Sequence, residues 1–268
     1  MRGLREVGVE QERPVLVHAS LSAFGQVEGG AQSLLGALTA ACGSIMAPAF
    51  TYGTMVTPEV GPPDNGLEYG SGTDQNALAR IWSPDVPADK SVGVLTENLR
   101  KFPGAGRSNH PILSFTGLNV EEALLSQTVA MPLASIGWLA ENEGDVLLLG
   151  VDHRCNTAIH LGERRAGRKQ FTRWALTPGG TVECSNFPGC SEGFQAIAPR
   201  LEEITCLAQV GRALIQRTPL SDLLEVVQAW IREDPLALLC SRPDCRRCGA
   251  VRINAKQSER KSDMVSEN

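Results

Sequence analysis

The chain has 268 residues, 42% hydrophobic and 21% charged, which is enough apolar material for one large or two modest cores. A net charge of -5 argues against nucleic acid as the main partner and is compatible with a cationic one. No apolar run approaches the ~20 residues needed to cross a bilayer, and residues 1–13 alternate charges where a secretory signal would be apolar. The expected location is therefore the cytoplasm, with no membrane partner.

In chain order, Val15-Leu16-Val17-His18 reads as a short apolar strand and Ala19 to Gly25 as a turn. Behind Gly29-Gly30, the apolar spacing of residues 31–38 predicts a helix. A strand, loop and helix in this order can offer backbone N–H groups and a positive helix end to a phosphate. The spacing is not that of a Walker loop or a dinucleotide fingerprint, and an ordinary strand-to-helix turn fits as well. Ser44 to Phe50 reads as a second strand. The stretch from Thr51 to Gly72, crowded with Gly, Pro and Asn, has the composition of a binding or moving segment. Its acids Glu59, Asp64 and Glu68 could face a polyamine or stand as ordinary loop carboxylates. Helices are expected at 76–81 and 94–101, the second stopped by Pro103 and Gly104.

Residues 106–117 read as a loop entering a strand. Arg107 and Ser108 could clamp a phosphate or position an acyl group, and His110 before Pro111 is held extended. A surface ion pair for Arg107 and packing of His110 on Phe115 are the plainer alternatives. Helices at 120–126 and 135–141 lead to the apolar run 146–151, a buried strand.

That strand delivers Asn156-Thr157-Ala158-Ile159-His160-Leu161-Gly162-Glu163. If the segment is helical from Thr157, His160 and Glu163 share one face, so the carboxylate can orient the imidazole and raise its basicity, as a general base requires. A hydrogen-bonded core histidine beside the solvated run Glu163-Arg164-Arg165 is the competing reading. Residues 170–184 predict two strands joined at Pro178-Gly179-Gly180, hence a hairpin in a mixed sheet. A helical stretch follows from Gly189 toward Ile204. Residues 207–215 alternate small and apolar side chains, and 220–232 form an amphipathic helix with Ser221 as N-cap. Strands alternating with helices predict one α/β domain over residues 1–252, a mixed sheet flanked by helices. Residues 253–268 are polar and read as a disordered tail.

Eight cysteines, several inside apolar runs (Cys42, Cys206, Cys240), read as reduced thiols. Cys240, Cys245 and Cys248 have the spacing C-x4-C-x2-C, interleaved with Arg242, Arg246 and Arg247. Three thiolates with a fourth ligand, another cysteine or His153, could hold zinc tetrahedrally. The paired C-x2-C of a complete site is missing, so the expectation is free thiols with arginine-lowered pKa and no metal.

Four of these segments, taken together, resemble the aminoglycoside 3-N-acetyltransferase family over roughly residues 15–239. They are the loop with Ser20, Ser22, Gly25, Gly29 and Gly30; Arg107-Ser108-Asn109-His110-Pro111; Asn156 to Glu163; and Gly189-Cys190-Ser191-Glu192-Gly193-Phe194. The resemblance implies the antibiotic N-acetyltransferase α/β fold, acetyl-coenzyme A as donor, and the 3-amino group of an aminoglycoside as the cationic acceptor. It places the catalytic base at His160 and its supporting acid at Glu163. Coenzyme contacts fall on Ser20, Ser22, Gly25, Val27, Gly29, Gly30, Arg107, Ser108 and Phe115, with His110 lining the acyl pocket. Acceptor contacts fall on Asn156 and Glu192. A homodimer is admitted as the oligomeric state.

The chemistry suits the residues, because a protonated amine must lose a proton before it attacks a thioester and the developing oxyanion needs donors, from the loop at Ser20 to Gly25 or from Ser108 and Asn109. Three rivals stay open. One is transfer to another amine in secondary metabolism. A second is a thiol hydrolase or ping-pong acyltransferase with Cys155 as nucleophile and His160 as its base. The third is a non-enzymatic zinc-stabilised binding protein.

Overall fold

A computed structural model of the chain describes residues 1–266, with side chains for 1–72 and 74–257. In chain order the elements are α1 (Arg2–Glu6), β1 (Val15–Ala19), α2 (Gly30–Ala41), β2 (Ile45–Pro48), β3 (Met55–Val56), α3 (Thr73–Ala77) and α4 (Val94–Arg100). Then come β4 (Gly106–Arg107), β5 (Phe115–Leu118), α5 (Glu121–Ser126), α6 (Ala134–Glu141), β6 (Asp145–Leu149) and α7 (Ala158–Arg165). The chain ends with β7 (Phe171–Thr177), β8 (Gly180–Phe187), α8 (Ala198–Leu201), β9 (Cys206–Val210), β10 (Ala213–Pro219), α9 (Leu220–Glu233) and α10 (Arg246–Ser266).

The two apolar runs at Val15 and Val146 are the centre of a seven-stranded sheet ordered β4-β5-β2-β1-β6-β10-β9. β1 pairs in parallel with β2 and β6, and every other pairing in this sheet is antiparallel. Alternate side chains leave opposite faces. Val15, Val17, Leu147 and Leu149 meet Leu35 and Leu38 of α2 and Leu95 and Leu99 of α4. Leu16, Val146 and Leu148 meet Ile136, Ile159, Leu223 and Val227 on α6, α7 and α9. Helices cover both faces, which is why the central strands carry unbroken apolar sequence. Each such side chain contributes about 1.5–3 kcal/mol by burial.

The mixed sheet and flanking helices expected from the sequence are present, with several differences of detail. The hairpin over 170–184 forms as β7 and β8 but does not join the main sheet. It makes a separate three-stranded sheet, β3-β7-β8, by pairing Met55–Val56 with Ala175 and Trp174. Residues 207–215 fold into the hairpin β9–β10, where Ala208, Ala213 and Ile215 are buried and Leu207 and Leu214 exposed. The stretch after Gly189 is two short 3-10 turns around α8 and not one helix. The helix expected at 76–81 ends at Ala77, leaving Leu78 and Ile81 exposed. α9 starts at Leu220 with Pro219 in the cap position, so Ser221 lies inside the first turn and its hydroxyl meets Asp222. The boundary expected at 252/253 has no counterpart in the backbone, which is helical from Arg246 to Ser266; residues 267–268 lie outside the described residues. Among the described residues no helix is long and apolar enough to cross a membrane.

α7 lies close against α9 because Gly162 has no side chain. A Cβ there would stand 2.5 Å from Val227 Cγ1 and 2.7 Å from its Cβ, atoms that a β-branched residue cannot swing aside. Gly162→Ala is therefore expected to push α7 outward at a cost of about 1–3 kcal/mol. Thermal denaturation should show Tm lowered by roughly 2–10 °C; an unchanged Tm would refute the close packing.

Candidate active site

β1, β2 and β6 end side by side, and the chain leaving them lines a cavity of about 1230 Å³. The carboxyl ends of parallel strands, where crossovers diverge to opposite faces, are where open α/β sheets bind ligands. Ser20, Ser22, Gly25 and Val27 come from the loop after β1, Pro48 and Phe50 from β2, and Val151 and Arg154 to Thr157 from β6. His160 enters from α7, and Lys90 to Val94 from the turn before α4. Arg173, Phe187, Gly189, Ser191 and Arg247 form the wall on the side of the small sheet and α10.

The start of α7 is fixed by two neutral acceptors. Asn156 Oδ1 takes the Ala158 N–H at 3.2 Å, and His18 Nε2 takes the Thr157 N–H at 3.4 Å. Burial lowers the His18 pKa to about 3, so its imidazole stays uncharged and able to accept. One turn on, His160 Nδ1 lies 2.8 Å from Glu163 Oε2, the i,i+3 relation expected from the sequence. The other carboxylate oxygen receives Arg168 Nη1 at 2.7 Å, and Arg168 Nη2 donates to the Pro235 carbonyl at 2.8 Å. Glu163 and Arg168 are buried, and the edge of Phe194 packs on the imidazole at 4.6 Å between centroids. A carboxylate on Nδ1 holds the proton there and leaves Nε2 as the basic nitrogen on the cavity side.

The cavity gathers Ser20, Ser22, Gly25, Val27, Asn156 and His160 from the expected set, with Glu163 behind His160. It does not gather the others. Arg107 spends its guanidinium on Ser114 Oγ and on the carbonyls of Pro84, Val86 and Ala49, tying an irregular loop to the ends of β2 and β5. Ser108 is buried against Gln127 and the Phe115 backbone, and Phe115 is core. His110 Nδ1 accepts from the Ile112 and Leu113 N–H groups, and burial lowers its pKa to about 4. Gly29 and Gly30 form the left-handed entry to α2 (φ 71° and 57°) outside the lining. Glu192 lines a neighbouring cavity of about 1140 Å³, together with Asp152 and Glu202.

Sequence reasoning missed Arg168, Arg173 and Arg247 at the site. Arg168 lies beyond the end of α7 and has no helical relation to Glu163. Arg173 did leave a trace, because it occupies the buried phase of β7 between Phe171 and Ala175. Its Nη1 donates to the Asn65 and Thr172 carbonyls, and its guanidinium stacks over Phe187 at 5.2 Å. Burial, then the neighbouring Arg247, lowers its pKa to about 10. Among the described residues no carboxylate pairs with either arginine. Cys155 lines the cavity too, but burial and nearby Asp152 push its thiol pKa up, away from what a nucleophile needs.

A family model described as aminoglycoside 3-N-acetyltransferase matches residues 16–232. Aminoglycoside N(3)-acetyltransferase III of a Salmonella species is 33% identical over 173 residues, which make up 60% of this chain and 57% of that protein. The chain thus spans less than two thirds of that relative. A histidine-to-alanine mutant of aminoglycoside acetyltransferase AAC(3)-IVa, crystallised with a gentamicin, superposes with a TM-score of 0.73 at 24% identity, covering 94% of both chains. AAC-IIIb in a binary complex with CoASH gives 0.70 at 21% identity, covering 87% of this chain and 94% of that one. At these identities the likeness concerns the fold.

Proposed function

Because the chain belongs to the aminoglycoside 3-N-acetyltransferase family, we propose that it transfers an acetyl group from acetyl-coenzyme A directly to an amine, with His160 as general base. The observation that carries this is the buried Arg168, Glu163 and His160 relay opening on the cavity at the strand ends. His160 Nε2 takes the proton from the acceptor amine as its nitrogen attacks the thioester carbonyl, and Glu163 stabilises the imidazolium that forms. Collapse of the tetrahedral adduct breaks the C–S bond, and the proton passes to the departing thiolate. The coenzyme lies along the loop at Ser20 to Val27, where the Ser20 and Ser22 hydroxyls, 3.1 Å apart, supply donors and Lys90 meets phosphate. The CoASH complex of AAC-IIIb supports a coenzyme of this kind.

The family and the gentamicin complex of a related enzyme support an aminoglycoside as acceptor. One observation favours a second reading. Among the described residues, the cavity that holds His160 is lined by Lys90, Arg154, Arg173 and Arg247 and by no carboxylate. A polycationic sugar would meet like charge there, whereas an amine that also carries a carboxylate or phosphate-type group would give Arg173 and Arg247 a partner.

A thiol-release assay with acetyl-coenzyme A, run on aminoglycosides and on acid-bearing amines, separates the two. Turnover of acid-bearing amines, with KM raised roughly 10- to 100-fold in Arg247→Ala, is expected on the second reading. Turnover confined to aminoglycosides would sink it and keep the first, and no thiol release with any acceptor would sink both. Cys155→Ala should keep the parent kcat; loss of turnover in it would replace direct transfer by an acyl-enzyme.

A further inference from the structure

The sulfurs of Cys190, Cys240, Cys245 and Cys248 all lie within 4.8 Å of one another, and all four residues are buried. They arrive from three places: the turn after β8, the segment between α9 and α10, and the start of α10. The fourth ligand that the sequence left open between a cysteine and His153 is thus Cys190, about fifty positions upstream. His153 is engaged elsewhere, with Nδ1 3.3 Å from Asn156 Nδ2.

From this convergence we infer that the four cysteines bind a zinc ion as a closed, structural site. Zinc with four thiolates at about 2.3 Å separates its sulfurs by roughly 3.8 Å, a small contraction of the arrangement present. Two disulfides would need only pairwise approach, and they leave the mutual approach of all four sulfurs without a cause. Packing does not supply one either, because the four form a cluster of their own with Leu239 as the one apolar neighbour among the described residues. The backbone around them is turned toward the sulfurs. The backbone N–H groups of Glu192, Arg242 and Cys248 favour the thiolate forms of Cys190, Cys240 and Cys245. Donors placed this way orient thiolate ligands. The Arg242 guanidinium, beside the Cys240 and Cys245 sulfurs, offsets one of the two net negative charges of a zinc tetrathiolate. As zinc binds, the thiols release their protons to solvent.

All four positions of the metal are filled by protein, so its work is to fasten. It ties the start of α10 to the Gly189 turn, where Arg247 Nη1 donates to the Gly189 carbonyl at 2.8 Å. Gly66, at φ 62°, sits so close that a Cβ there would lie 2.8 Å from Arg247 Cγ. The zinc therefore holds Arg247 in the cavity wall without touching the reacting groups.

The test uses the full chain expressed with zinc in the medium. Elemental analysis should find about one zinc per chain after dialysis against EDTA. Exchange for Co²⁺ should give the intense visible bands and thiolate charge-transfer absorption of a tetrahedral tetrathiolate. Cys248→Ser should abolish that spectrum and Cys206→Ser, outside the cluster, should leave it. If Cys248→Ser does not fold, the unmutated chain decides: a zinc-free protein that takes up Co²⁺ without thiolate bands, or two disulfides by mass spectrometry, overturns the site. The metal count is read without any acetyl transfer, so failure of the functional reading and failure of this one are told apart.

Discussion

His160→Ala should lower kcat with acetyl-coenzyme A by about 10²–10⁴-fold, the contribution of a positioned general base, while Tm stays near the parent value. The two halves of that expectation have different origins. Activity falls because no other imidazole in the cavity can serve: His18 is buried, held neutral and already accepting the Thr157 N–H. Stability survives because Glu163 keeps its ion pair with Arg168 at 2.7 Å, so no buried charge is orphaned. The measurement is a steady-state rate beside a melting curve. An undiminished kcat in a folded variant would remove His160 from the role of base.

Arg168→Met should have the opposite profile, with stability hit first. Glu163 has 3% side-chain exposure, and without Arg168 its carboxylate would keep one partner, the imidazole that it orients. Removing one member of a buried pair costs about 3–5 kcal/mol, which lowers Tm by roughly 10 °C. Combining it with Glu163→Leu removes the uncompensated charge as well, so the double variant should regain much of the lost stability while remaining poorly active, its imidazole no longer held. A single Arg168→Met variant as stable as the parent would show that Glu163 does not depend on that partner.

The relation between His160 and Glu163 was legible because helical periodicity alone puts residues three apart on one face. Arg168 was not, since it returns to the same carboxylate through a turn at Gly167 (φ 79°) that periodicity does not describe. β1 and β6 were legible as unbroken apolar runs, the mark of strands covered on both sides. The β9–β10 hairpin was not, because its buried positions include Ala208 and Ala213, too small to set a clear alternation against exposed Leu207 and Leu214. The small sheet escaped for another reason: β7 finds its partner in a two-residue strand within an irregular, Pro- and Gly-rich segment. Arg107 and Ser108 were legible as important residues but not as to their work, since a guanidinium that could clamp a phosphate is equally able to gather carbonyls. Cys190 could be joined to the other cysteines only by the fold.

The placement of the strands has a consequence for how such a protein can change. His160 and the loop at Ser20 to Val27, to which the proposed function gives the base and the coenzyme, follow the three parallel strands, so altering those strands disturbs the central core. The opposite wall is built from a three-stranded ribbon, a cysteine-bound turn and the first residues of α10, each outside the main sheet. Under the proposed function, substrate preference and reaction chemistry thereby fall on different elements, although Phe171, Ala175 and Phe187 of the ribbon share one core with Leu16 and Ile159. A lineage could exchange one acceptor for another at the exposed positions of that wall, whereas a change reaching Phe194, which packs on the His160 imidazole, would disturb the relay.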